Sequence, residues 1–310
     1  VFGKIASLEL CALRVDGIEL IDARLDLCEH TGKFETTPEE PMQRRKFLAS
    51  SLAASALAAA QPASYLGAAE DAAKKGGREF YQLRRYHIIS GPQRKLCDDF
   101  FSGVLIPALN RMSIGPVGVF DLTIGPDTPT IYVLMPGLSA ETLATVEMHL
   151  AKDDQYTKAG EAFLNAPAKE PAFDRIESSF LQAFEKWPKL VPPAATKTKS
   201  PRIFELRIYE GATDQDHKRK VEMMQSGESE IFTKAGVEQV FYSDTLVGSR
   251  LPNLTYMLAF DNLADRDKKW AAFRASDEWK KYSTQPRYAF EPIVSNITNV
   301  ILTPTAYSQI

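Results

Sequence analysis

Three residues that could do chemistry sit on alternate positions of one extended segment: Glu205, Arg207 and Tyr209 within Ile203-Phe204-Glu205-Leu206-Arg207-Ile208-Tyr209. Side chains alternate across a strand, so these three share one face and Phe204, Leu206 and Ile208 share the other. A guanidinium beside a phenol can receive a carboxylate, or polarise a carbonyl or enolate. A buried Arg is costly unless a carboxylate or a bound guest satisfies it, and Glu205 is the nearest partner for Arg207. The row has a counterpart earlier in the chain, where Phe80-Tyr81-Gln82-Leu83-Arg84-Arg85-Tyr86 sets Gln82, Arg84 and Tyr86 on one face. The apolar face is expected against helices. The polar face is then either the wet side of an antiparallel sheet or, if two sheets meet through these faces, the lining of a polar interior.

Other candidates are scattered. Arg250 lies in the turn Gly248-Ser249-Arg250-Leu251-Pro252-Asn253, where it either receives an anionic group at the base of a strand or bonds loop carbonyls in a structural hairpin. Tyr256 follows on the next strand, and core packing with a satisfied hydroxyl is the expectation. His217, Val221, Met224, Glu228 and Ile231 recur at helical spacing. There Glu228 is expected at a helix edge, reaching solvent, with a general acid or base as the sharper alternative. Trp270, Phe273 and Trp279 read as core. Beyond the leader described below, the histidines are His87, His149 and His217, without a His-x-x-x-His pair or clustered carboxylates at ligand spacing. The expectation is no metal and no cofactor. Neither a Gly-rich phosphate loop nor a nucleophile elbow is present.

The elements that must position these residues come in two similar sets. Strand signals over 80–88, 117–124, 130–135 and 173–180 enclose helix signals over 93–112 and 139–150, divided by Gly91-Pro92, Gly115-Pro116 and Gly125-Pro126. After a linker over 186–201 with Pro188, Pro192 and Pro193, the order returns. Strands are expected over 203–209, 239–243, 255–260 and 293–302, with helices over 214–234, 264–274 and 276–282. Each half reads strand, helix, strand, strand, helix, strand, the order of a ferredoxin-like split βαβ unit. The expected class is therefore α+β: two tandem ferredoxin-like repeats, 78–185 and 202–310, packed sheet to sheet.

Composition narrows the function classes. The chain has 310 residues, 44% hydrophobic and 25% charged, with a formal net charge of -3, so there is no basic excess for a nucleic-acid partner. Met42 to Ala60 has a basic start, an Ala/Leu stretch and a small-residue exit. Its Arg44-Arg45-Lys46-Phe47-Leu48 resembles a twin-arginine export signature. The apolar run is too short for a permanent membrane anchor. Residues 1–41 are expected to be a non-native upstream extension, 42–60 the signal peptide recognised by the twin-arginine machinery, and 61–77 a spacer. The body is then periplasmic or extracellular; if 1–41 are native, it stays in the cytoplasm. Of three cysteines only Cys97 follows the leader, so folding needs no oxidising compartment.

The second half resembles the NIPSNAP family. The match runs through His217-Lys218-Arg219-Lys220, Ser226-Gly227-Glu228, Val247 to Phe260, Trp270-Ala271-Ala272-Phe273, Asp277-Glu278-Trp279 and Ser295-Asn296-Ile297. The first half is a divergent copy that keeps Leu83-Arg84, Tyr86, Tyr132 and Asp154-Gln155-Tyr156. The resemblance implies a dimeric α/β-barrel, with no settled activity. Three functional readings follow: a small polar or amphipathic ligand or a protein partner bound by the barrel; a cofactor-independent oxygenase or isomerase acting inside it; or a structural homo-oligomer. The candidate cavity residues are Glu205, Arg207, Tyr209, Arg250, Tyr256, Gln82, Arg84 and Tyr86.

Overall fold

A computed structural model of the chain describes residues 77–89, 91–289 and 293–310. The expectations for the upstream extension, the leader and nearly all of the spacer lie outside the described residues. Strand β1 (Phe80–His87) leads to α1 (Gly91–Phe100), a wide π turn (Phe101–Leu105) and α2 (Ile106–Arg111). Strands β2 (Gly118–Ile124) and β3 (Thr130–Gly137) form a hairpin. Four short helices follow, α3 (Ala140–Ala144), α4 (Val146–Leu150), α5 (Asp154–Ala159) and α6 (Glu161–Leu164), and then β4 (Arg175–Ala183). A short α7 (Ala195–Thr198) lies within the proline-rich linker. The second half runs β5 (Ile203–Glu210), α8 (Asp214–Met223), a kinked segment (Met224–Glu228), α9 (Ser229–Lys234), β6 (Glu238–Val247), β7 (Asn253–Phe260), α10 (Leu263–Ala275), α11 (Asp277–Ser283) and β8 (Asn296–Pro304).

Local chemistry sets several of these boundaries. Ser139, Asp153, Thr213, Asn262 and Ser276 each accept a backbone N–H of the first helical turn through the side chain, which satisfies donors a helix start leaves unpaired. Gly236, at φ 76°, closes α9, and the Val237 N–H reaches back to the Phe232 carbonyl at 3.0 Å. Glycine is the residue that adopts this left-handed backbone without a side-chain clash. The continuous helix expected over 93–112 is interrupted by a π turn, the one over 214–234 is kinked at Gly227, where the backbone is not helical, and the one over 139–150 is broken at Thr145.

The eight strands close into one antiparallel barrel in the order β1-β3-β2-β8-β5-β7-β6-β4. Within each half the spatial order is fourth, first, third, second. The halves join at two seams, β2 with β8 and β4 with β6. Closure pairs every strand on both sides and leaves no sheet edge exposed.

This closure corrects the expected orientation of the strands. The interior is apolar, filled by Tyr81, Leu83, Phe120, Leu134, Phe204, Leu206, Phe241, Met257 and Leu302 among others. The alternate faces of β5 and β7 carry Tyr209, Tyr256 and Leu258 into a separate cluster with Met223, Phe232, Trp270 and Phe273 of the helical layer. Hence the row Glu205, Arg207, Tyr209 points outward beneath the helices, and the apolar row fills the barrel. The physical reason is area: a narrow eight-stranded barrel is filled by side chains, and the larger apolar gain comes from placing Phe and Leu there. Phe204 is fully buried and meets Phe120 edge-on at 4.9 Å. Phe204→Ala should therefore cost about 3–5 kcal/mol, measured as a lowered midpoint of denaturant unfolding.

Candidate functional site

A cavity of about 630 Å³ opens between the outer face of β5 and the helices of the second half, lined by Arg207, Tyr209, Glu228, Arg266, Trp270 and Trp279 among others. Its floor is organised around one carboxylate. Glu205 is fully buried. Its Oε1 accepts from Arg207 Nη1 at 2.7 Å and from Arg266 Nη2 at 2.7 Å, and its Oε2 accepts from Arg266 Nε at 3.0 Å and Trp270 Nε1 at 2.7 Å. Burial pushes the Glu205 carboxyl upward, but the Arg266 hydrogen bond, the Arg207 charge and the Trp270 hydrogen bond outweigh it and hold the group below its ordinary value.

Arg207 is fixed on three sides. Beyond Glu205, its Nη2 donates to the Tyr209 hydroxyl at 2.9 Å, and its guanidinium carbon lies 4.7 Å from the Trp270 ring centroid, within reach of a cation–π attraction. The Tyr256 hydroxyl donates to that of Tyr209 at 3.0 Å. Burial raises the Tyr256 phenol well above its usual range, so it stays a neutral donor. Aromatic rings supply the walls: Trp270 packs edge-on to Phe232 and Phe273, and Phe273 lies 4.5 Å from Trp279.

At the far wall sits a second buried ion pair. Lys220 Nζ donates to Glu228 Oε2 at 2.5 Å, with the two side chains 2% and 3% exposed. Glu228 is therefore not the solvent-reaching edge residue that the helical spacing suggested. The kink at Gly227 carries it onto the cavity wall.

The structure brings Glu205, Arg207, Tyr209 and Tyr256 together and sets the remaining candidates apart. Arg250 stands in a different recess of about 170 Å³ at one mouth of the barrel, with Arg85, Tyr132, Thr255 and Thr298. There it donates to Thr298 Oγ1 at 2.9 Å and lies 3.6 Å from Glu210. Loop carbonyls are instead met by the Asn253 amide, which donates to those of Ser249 and Arg250 at 3.0 Å each. Gln82, Arg84 and Tyr86 occupy the equivalent outward row of the first half. Arg84 bonds Glu147 and, at 2.9 Å, Gln82, and Phe101 and Phe173 pack edge-on against Tyr86. His217 pairs with Asp244 at 2.7 Å, away from the cavity lining. Trp270 and Phe273 are buried as expected, and Tyr256 packs in the core with its hydroxyl bonded.

Two participants escaped the sequence reading. Arg266 stands four residues before Trp270, a spacing that puts both on one helix face, so the pair was readable in retrospect. Lys220 lies three residues from His217 on the same stripe; its charge argued against burial, and only the eight-residue interval to Glu228 hinted at a partner two turns away.

Residues 204–309 match the NIPSNAP family model. Similar solved structures include an uncharacterised NIPSNAP-like domain protein from Burkholderia xenovorans, 23% identical, covering 34% of this chain and 88% of its own, with a TM-score of 0.31. A NIPSNAP family protein of unknown function from Agrobacterium tumefaciens is 21% identical over 34% of this chain and 89% of its own, with a TM-score of 0.30. A protein proposed to be a monooxygenase, from Fusobacterium nucleatum, covers 74% of this chain and 93% of its own at 8% identity and a TM-score of 0.48. No curated protein matches the sequence significantly.

Glu205→Gln removes the shared charge and leaves two guanidiniums facing a neutral amide, which should cost about 3–5 kcal/mol. Because the folded-state pKa of Glu205 is depressed below its ordinary 4.5, its contribution is complete above that pH and is lost as pH falls through the folded value. Urea melts from pH 7 to pH 3 should show the wild type losing stability below about pH 4.5, with a shallower acid dependence in the variant.

Proposed function

We propose that the second half of the chain binds one small planar, amphipathic anion in the cavity beneath its helices. The observation that carries this reading is the charge balance of the floor. Arg207 and Arg266 share the single carboxylate of Glu205. The other contact of Arg266, Asp267, is 70% exposed and so screened by water. Glu228 is matched by Lys220, and Arg274 adds another guanidinium to the lining. Positive charge therefore exceeds negative in a recess walled by Trp270, Phe273 and Trp279. Its volume falls in the range of small-molecule sites, which join apolar walls to a few placed polar groups. A carboxylate or enolate on a flat ring system meets both demands, the guanidiniums taking the charge and the indoles the ring.

The fold supports one guest per chain. Both halves carry the same strand order, and we read the chain as two tandem ferredoxin-like repeats fused so that one polypeptide closes a barrel of the dimeric α/β type. The repeats have diverged at the outward row: the first is packed with Phe101, Phe163 and Phe173, whereas the second keeps its recess. The NIPSNAP match covers that second repeat.

Binding is tested with 2-naphthoate, followed by quenching of tryptophan fluorescence, against uncharged 2-acetylnaphthalene. Naphthoate should saturate at one per chain and bind more tightly than the ketone. Arg207→Leu should weaken it by tenfold or more, about 1.4 kcal/mol, while Arg250→Ala leaves it unchanged. Equal affinity for acid and ketone, or for wild type and Arg207→Leu, would remove the assignment.

For location, the reading is export by the twin-arginine route, carried by Arg44, Arg45, Phe47 and Leu48. Among the described residues no helix is long and apolar enough to cross a membrane. Replacing both arginines by lysine should trap uncleaved precursor in the cytoplasm, seen by fractionation and N-terminal peptide mass spectrometry. Undiminished export, or a peptide from within residues 8–33, would refute it.

A further inference from the structure

We infer that Glu228 is a proton acceptor for a carbon acid held in this cavity, and that Arg207 and Arg266 receive the conjugate base. The inference rests on the binding reading above and adds a reaction to it. Its first support is position. Glu228 lines the recess although its side chain is only 3% exposed, so a guest seated against Trp270 and Trp279 meets a carboxylate largely withdrawn from bulk water. A buried ion pair is a weak device for stability, and the Lys220 ammonium that answers Glu228 lies 5.3 Å from the Tyr209 ring centroid and 5.9 Å from that of Trp279, so the pair borders the same aromatic lining.

The second support is the backbone that delivers it. Helix α8 does not run straight into α9; the backbone kinks at Gly227, whose ψ of -32° at φ 177° is not helical, and the segment Met224–Glu228 between the two helices ends on Glu228. A sharp kink in a helix has a local cause, and here it re-aims the side chain that follows. This one is clamped. The Tyr282 hydroxyl donates to the Met223 carbonyl at 2.9 Å, and a Cβ at Gly227 would come within 3.1 Å of the Tyr282 ring. The carboxylate is thus held from both sides of the turn.

The third support is charge accounting. Proton transfer from a neutral guest converts Glu228 to the acid and the guest to an anion, while Lys220 keeps its ammonium. The cavity's net charge does not change; one negative charge moves from the far wall toward the guanidiniums on the floor. Fixed cations placed where charge develops are the arrangement that lowers a proton-transfer barrier. No oxidant, metal or cofactor enters the step.

The probe is 5-nitrobenzisoxazole, a flat aromatic carbon acid. A Glu228 oxygen takes the proton from C3, the C–H electron pair completes the nitrile, the N–O bond breaks, and its electrons leave on the phenolate oxygen, giving coloured 2-cyano-4-nitrophenolate. The wild type should turn it over with saturation, faster than free acetate at equal concentration. Glu228→Gln should lose about 100-fold or more, Glu228→Asp should lose part of the rate by retracting the carboxylate, and formate should restore part of the rate to Glu228→Ala. That rescue has no counterpart for a residue that only supports the fold, and far-UV circular dichroism verifies each variant. Wild-type rates in Glu228→Gln, or bound probe reacting no faster than with acetate, would overturn the inference and leave the binding reading standing. Failure of the probe to quench tryptophan fluorescence at all would overturn the inference too, while failure of naphthoate to bind would overturn both.

Discussion

The site depends on a single buried carboxylate. Glu205 has no exposed surface, and its two oxygens take four hydrogen bonds from Arg207, Arg266 and Trp270. A carboxylate in that position without donors would be prohibitively costly, so strand β5 and helix α10 must dock in the one register that brings all three side chains to it. The same bonds fix the guanidinium of Arg207 over the Trp270 ring and leave its other edge toward Tyr209. Once that register is set, the recess between sheet and helices has its floor and one wall. The remaining wall comes from α8 and the kink that follows it, which bring Lys220 and Glu228 in from the other side.

The alternation of β5 was legible in its residues, and so was the partnership of Glu205 with Arg207, because a strand places i and i+2 side by side whatever surrounds them. What could not be read was which face would turn inward. Phe204 and Leu206 mark an apolar face equally well for a sheet backed by helices and for a sheet rolled into a barrel; the choice is made by the seams β2–β8 and β4–β6, pairings between residues of different halves of the chain. The strand order within each half followed from local signals and short connections, whereas the closure is a property of both halves together. Glu228 shows the same limit in a helix. Regular 3.6-residue periodicity put it near the edge of a stripe, and the kink at Gly227, which periodicity cannot signal, turned it onto the cavity wall beside a buried lysine.

The two halves show how similar frames come to hold different contents. Arg84 and Arg207 occupy equivalent rows, each with a tyrosine two residues on. Arg84 is tied to Glu147, which is 58% exposed, and to Gln82, so its charge is answered partly at the surface, while Phe101 and Phe173 fill the space beside Tyr86. Arg207 is answered by a carboxylate that it must share with Arg266, and indole rings line the space beside it, whereas the first half stacks Phe163 on Phe100 at 3.9 Å. Filling the first row with phenylalanine strengthens packing and removes the reason to keep a cation exposed to a guest. The second row keeps an unbalanced guanidinium pair against large flat rings, and that pairing of incompletely neutralised charge with apolar wall is destabilising for an empty protein.

That cost is the argument for treating the recess as a working site instead of a packing defect. A well-packed alternative is present in the same chain, on the same frame, and demonstrates that this fold tolerates closure of the row. Keeping Lys220 and Glu228 buried withdraws two charges from water, which their short hydrogen bond and the Tyr209 and Trp279 rings beside the ammonium answer. Local departures from optimal packing and solvation concentrate where a protein does chemistry. Here the departures are the kink at Gly227, the buried lysine–glutamate pair and the shared carboxylate, and all three border one cavity. A structural role for each taken singly is easy to supply; a structural role that also explains their convergence on the same recess, in the half that matches the NIPSNAP family, is not.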